Sequence, residues 1–166
     1  MALASPALHA RRLSTYLNDH LAVATSGVEV SKRTLSSNEG TAYEPLLRRV
    51  CDDLHADRRL MTEVMRSLEV DEDPVKKGVA WLGEKVGRFK INDSLTGYSP
   101  LSRAVELEAL MVVTGILRNT WATLDEVLGD DPRVPDVSTA RRRAERNLRD
   151  LDEQRPATMR EALTAD

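Results

Sequence analysis

The stretch Leu101–Leu128, LSRAVELEALMVVTGILRNTWATLDEVL, decides the fold. At about 100° per residue, Leu107, Leu110, Val113, Leu117, Trp121, Leu124 and Leu128 fall on one helical face. Val105, Val112, Ile116 and Val127 make a second apolar stripe, roughly 110° around the helix from the first. One partner helix cannot cover both, so the segment belongs inside a bundle. Its ends are marked by Ser99-Pro100, a cap followed by a first-turn proline, and by Gly129 with Pro132 beyond it. The expected helix is 100–128.

Working outward, Leu13, Tyr16, Leu17, His20, Ala24, Val28, Ser31 and Leu35 recur at threes and fours, with Arg11, Arg12, Asn18, Glu29 and Lys32 turned mostly outward. This predicts a first helix over about 6–35, opened by Ser5-Pro6. The polar run Ser36–Gly40 breaks it, and Thr41 with Glu44 forms a capping box for a second helix over about 42–68. That helix carries Tyr43, Leu47, Val50, Leu54, Met61, Val64, Met65 and Leu68 inward, so the two should pair as an antiparallel hairpin. Val75, Val79, Leu82, Val86 and Phe89 predict a shorter helix over 74–90, placed to cover the second stripe of 100–128. A last helix over 137–154 has a narrow edge of Val137, Ala140, Ala144, Leu148 and Leu151. Pro156 should end or kink it, leaving 157–166 as a marginal short helix or a frayed tail. No repeat and no period-two strand pattern is found, so one all-α domain over 1–166 is expected: a four-helix up-down bundle with an additional shorter helix in the crossover.

The bulk numbers narrow the class of function. With 166 residues, 41% apolar and 31% charged, the chain suits one domain with a proper core. A net charge of -3 gives no global pull toward nucleic acid or anionic membrane. The lone cysteine, Cys51, excludes an internal disulfide and points to a cytoplasmic setting. Met1–His9 lacks the pattern of a signal peptide, and no run approaches about 18 apolar residues, so neither export nor membrane insertion is expected.

Four side chains carry the candidate chemistry. His20 faces the core and needs partners for both ring nitrogens; a hairpin centred near Asn38 sets it level with Asp57 and Arg58. Arg103 and Glu106 point inward at the start of 100–128 and are spaced to pair at i, i+3. His20, Arg58, Arg103 and Glu106 are therefore candidates for a polar core or pocket. Cys51 borders the core and reads as an inert buried thiol. Arg141-Arg142-Arg143, interleaved with acids, reads as a solvated face. There is no Gly-rich phosphate loop, Cys-x-x-Cys, His-Glu-x-x-His or Gly-x-Ser-x-Gly.

Two long capped helices, a link long enough to return along the bundle and two further helices resemble the ferritin-like superfamily, and Tyr16-Leu17-Asn18-Asp19-His20-Leu21 looks like the opening helix of small bacterial ferritin-like proteins. The resemblance implies a ferritin-like outline. It also implies a site with a carboxylate on the first helix, Glu-x-x-His on the second, Glu on the third and Glu-x-x-His on the fourth. His20 would stand first, Asp52-Asp53-Leu54-His55 would be a shortened second motif, and Glu106 or Glu108 the third. His20, His55, Asp52 and Glu106 are thus the metal candidates, for iron or manganese.

Geometry argues against the full set. Asp52 lies about 165° from the apolar centre of its helix and His55 about 105°. Glu106 stands about eight residues, roughly 12 Å, above His20, nearer Ser31. The fourth motif is missing, with Leu148 in its layer and Glu145 pointing sideways. Helical three-histidine metal hydrolases share the histidine count, but His9, His20 and His55 all fall in the first two helices and none forms a His-x-x-x-His pair. The reading is a non-enzymatic bundle without a cofactor, acting by binding a protein partner or by self-assembly as a homodimer. The alternative is a ferritin-like metal protein of oxidative-stress type with a reduced ligand set. Nucleic acid and membrane are not expected as partners.

Overall fold

The computed structural model describes residues 9–73 and 98–164, and among these the regular structure is entirely helical. The four helices are α1 (Ala10–Ser36), α2 (Glu44–Ser67), α3 (Pro100–Leu128) and α4 (Ser138–Leu163). The predicted Ser5-Pro6 cap and the short helix over 74–90 lie outside the described residues.

α3 forms where its sequence pattern places it. Ser99 accepts a hydrogen bond from the Ser102 amide at 3.1 Å, satisfying one first-turn N–H, and Pro100 follows at a position where no N–H is needed. All seven residues of its first stripe are buried. The second stripe is not: Val105 and Ile116 are half-buried, and Val112 and Val127 remain 50% and 48% exposed.

Cross-helix contacts give the directions. Arg33 on α1 meets Glu106 on α3, and Gly27 lies against Val113, so these two helices are antiparallel. On α2 and α4, Arg49 pairs with Asp150 and Asp57 with Arg143, again antiparallel. With the hairpins α1–α2 and α3–α4, the order around the bundle is α1, α2, α4, α3. The directions are therefore up, down, down, up. α2 ends at one end of the bundle and α3 begins at the other, because a long connection separates them in the chain. Gly27 permits the close approach of α1 to α3, since a Cβ there would lie 2.5 Å from the Cγ1 of Val113.

Several expectations shift by a turn or a face. α1 opens at Ala10, its first turn closed by the Leu13 amide on the His9 carbonyl. The Thr41/Glu44 capping box is offset: Glu44 reaches the Gly40 amide at 2.6 Å, and Thr41 Oγ1 accepts from the Tyr43 amide at 3.2 Å. The hairpin thus turns about Gly40, which has φ 76°, and not about Asn38. That slides α2 along α1, so Arg58 meets Thr25 at 3.3 Å and His20 is not level with Asp57 and Arg58. Asn18, expected outward, is buried, because its amide donates to the carbonyls of Ser14 and Asp71 and its Oδ1 accepts from the Asp73 amide.

α2 closes with the Val70 amide on the Met65 carbonyl and the Glu69 amide on that of Arg66, the Schellman pattern. Glu69 takes the left-handed position, φ 54°, that glycine usually fills. α4 does not stop at Pro156 but runs on to Leu163. Proline removes one N–H there, and the carbonyl it would have served belongs to exposed Asp152, within reach of water. Thr158, fully buried, anchors the turns that follow.

Candidate functional site

Polar side chains meet inside the bundle at two places. The first is the seam between α2 and α4. Asp53 and Asp57 stand one turn apart on α2, and Arg143, Arg146, Asn147 and Asp150 share a face of α4. Arg143 donates to Asp57 at 2.6 Å; Arg146 and Asn147 both donate to Asp53, at 2.6 and 2.9 Å. Arg49 extends the row to Asn147 and Asp150. Asp57 is 2% exposed. Burial pushes its carboxyl up to about 6, against the opposing pull of the Arg143 hydrogen bond and charge and of the nearby Trp121 indole. Each interior carboxylate is thereby matched by a guanidinium.

The second cluster lies at the end of the bundle that holds the α1–α2 turn and the start of α3. Glu106, buried, accepts from Arg33 Nε at 2.9 Å and from the Tyr98 hydroxyl at 3.0 Å. Asn38, buried in the turn, donates to Tyr98 at 2.8 Å and accepts from Arg103 Nε at 2.7 Å. Arg103 Nη1 reaches both carboxylate oxygens of Glu161 on α4, at 2.9 and 3.1 Å, and the Tyr43 hydroxyl donates to the same carboxylate at 3.4 Å. Burial raises the Tyr98 hydroxyl well above the ordinary tyrosine range; Asn38 lowers it, and the Glu106 carboxylate adds to the rise. It stays a neutral donor.

The predicted site residues do not assemble as a metal centre. His20 is half-buried; its Nδ1 lies 2.7 Å from the Tyr16 carbonyl and its ring packs on that of Tyr16, 4.0 Å between centroids. His55 is half-buried and Asp52 exposed. Glu106 is engaged near the bundle end, away from the His20 level. Among the described residues, no group of three or more His, Cys, Asp or Glu side chains is placed to hold a metal ion.

Of the proposed polar core, Arg58 is exposed, bonded to Thr25. Arg103 and Glu106 do not pair with each other: Arg103 is taken by Asn38 and Glu161, Glu106 by Arg33 and Tyr98, and Asn38 and Tyr98 link the two. Cys51 is buried. In the arginine run, Arg141 pairs with Glu145 and Asp125 while Arg142 bonds Ser138 and Thr139. Arg143 departs from the expected solvated face and turns inward to Asp57.

Among the described residues, a surface cleft of about 500 Å³ opens between Arg11 and Leu13 of α1, the turn Glu69–Asp71, and Arg133. In the sequence, Asp53 stands out only as part of the shortened second motif and Asp57 only beside His20, neither paired with an arginine, although their spacing of four, answered by arginines at 143 and 146, is the signal of a charged helix–helix seam. Compared with family models, curated proteins and solved structures, the chain has no significant match.

Proposed function

We propose that the protein is a non-enzymatic helical bundle that acts by binding or self-association through its surface. One observation carries this reading: the carboxylates that face the bundle interior are matched by guanidinium groups. Asp53 and Asp57 stand where α2 faces α4, and arginines 143 and 146 supply the positive charge that a cation would otherwise bring. The ferritin-like outline belongs to the same proposal. What supports it is the order of directions, up, down, down, up, with the long connection between α2 and α3. The outer face of α3, where Val112 and Val127 stand half-exposed, is the surface that a second copy would cover.

Elemental mass spectrometry of untagged protein, together with melts in the presence of iron, manganese and zinc, tests the first part. The expected result is no stoichiometric metal and no shift in Tm; one metal per chain with a raised Tm would restore the reduced ferritin-like site and make His20 and His55 the first residues to replace. Light scattering tests the second part. A dimer that Val112→Lys dissociates is expected, and a strict monomer at high concentration would remove the self-association.

A further inference from the structure

At the end of the bundle one cation is fixed far more firmly than its anion. The Arg103 side chain is 14% exposed, and that of its partner Glu161 is 46% exposed. The guanidinium lies 4.7 Å from the centroid of the Tyr43 ring and 5.9 Å from that of Tyr98, and its Nε is held by buried Asn38. Asn38 is fixed in turn by its donation to the Thr34 carbonyl at 2.7 Å. None of these supports comes from α4. Asn38, Tyr43 and Tyr98 thus hold the guanidinium from sides other than that of Glu161.

Glu161 is held differently. It sits beyond Pro156, whose missing N–H weakens the tie between the last turns and the rest of α4. In those turns Thr158 is the buried residue, its hydroxyl 3.2 Å from that of Tyr43, and Leu163 is 71% exposed. A tie meant only to fasten a helix end needs no such preparation of one partner.

We infer that Arg103, flanked by Tyr43 and Tyr98, is a carboxylate-binding site for an acidic ligand, and that Glu161 occupies it in cis as a displaceable stand-in. Nη1 of the guanidinium, which reaches both oxygens, and the Tyr43 hydroxyl converge on one carboxylate, and the two rings flank the cation. Entry of a ligand carboxylate releases the turns after Pro156. This holds whether or not the outer face of α3 pairs with a second copy.

The test is an NMR titration of full-length protein carrying Glu161→Ala, following the Arg103 Nε–H signal. The probes are a synthetic peptide of residues 157–166, the same peptide with Glu161→Gln, and glutarate. The unaltered peptide should move the signal saturably in the variant and about tenfold more weakly in the parent protein, where tethered Glu161 competes. The Glu161→Gln peptide should not. An equal response to glutarate would place free dicarboxylates among the ligands; a response to the peptide alone would restrict them to acidic peptides. No saturable shift in the Glu161→Ala variant with any probe overturns the proposal, and so does an equal response to both peptides. Arg103→Lys in the Glu161→Ala protein, followed by the backbone amides of Asn38 and Tyr43 because the arginine signal is gone, keeps the charge without the planar guanidinium and should abolish the peptide response; a folded variant that binds as well also overturns the proposal.

Discussion

Asp57 shows how a single buried group sets the pH response of the seam. Its carboxyl titrates near 6 in the folded chain, chiefly because burial disfavours the charge, and near 3.8 when exposed. Between those values the folded state holds a proton that the unfolded state has released, so stability from this group is full below about 4 and is lost as pH rises through about 6. The interval from 3.8 to about 6 corresponds to about 3 kcal/mol. Asp131 works the other way, its carboxyl held down to about 2 by hydrogen bonds from the Arg133 side chain and backbone, so the comparison must be between variants rather than between pH values alone. Asp57→Asn should make the slope of unfolding free energy between about pH 4 and pH 6 less negative than in the parent. Urea titrations at half-unit steps measure it, and parallel curves would show that Asp57 carries no such linkage.

At the scale of the helix, the sequence specifies middles more locally than ends. α3 could be placed from Ser99 to Leu128 because its cap, its proline and two apolar stripes all agree. The run through Pro156 could not, since what holds the last turns of α4 is Thr158 against Tyr43 and Glu161 on Arg103, contacts more than fifty residues apart in the chain. The same holds for Asn18, whose partners arrive from the far end of α2. The end of α2 supplies the element-scale prediction. Glu69 adopts φ 54° without the freedom of glycine, in a Schellman pattern whose other hydrogen bonds are already made. A left-handed non-glycine residue costs about 1–2 kcal/mol. Glu69→Gly should therefore raise stability by about 1 kcal/mol, less than the full strain because glycine also loosens the unfolded chain. A Tm unchanged or lowered would mean that the Glu69 side chain contributes more than its backbone costs.

Across the whole molecule the four helices are not joined alike. α1 and α3 meet through Gly27 and Val113 and share one ion pair, Arg33 with Glu106 near the bundle end, whereas α2 and α4 face each other across Asp53, Asp57, Arg49, Arg143 and Arg146. Taking charges from water and pairing them roughly breaks even, while burial of leucine and valine is a net gain. The seam between α2 and α4 is thus the side on which the bundle should open first, with α3 keeping its contact to α1. Hydrogen exchange can read this directly, because sub-global opening gives each element its own protection. The amides of Leu107–Leu124 in α3 should exchange slowest, those of Ala140–Leu151 in α4 faster, and those beyond Pro156 fastest of all. If α4 between Ala140 and Leu151 is as protected as α3, the ion pairs hold the bundle as tightly as its apolar core does, and opening at the seam is not the way this fold comes apart.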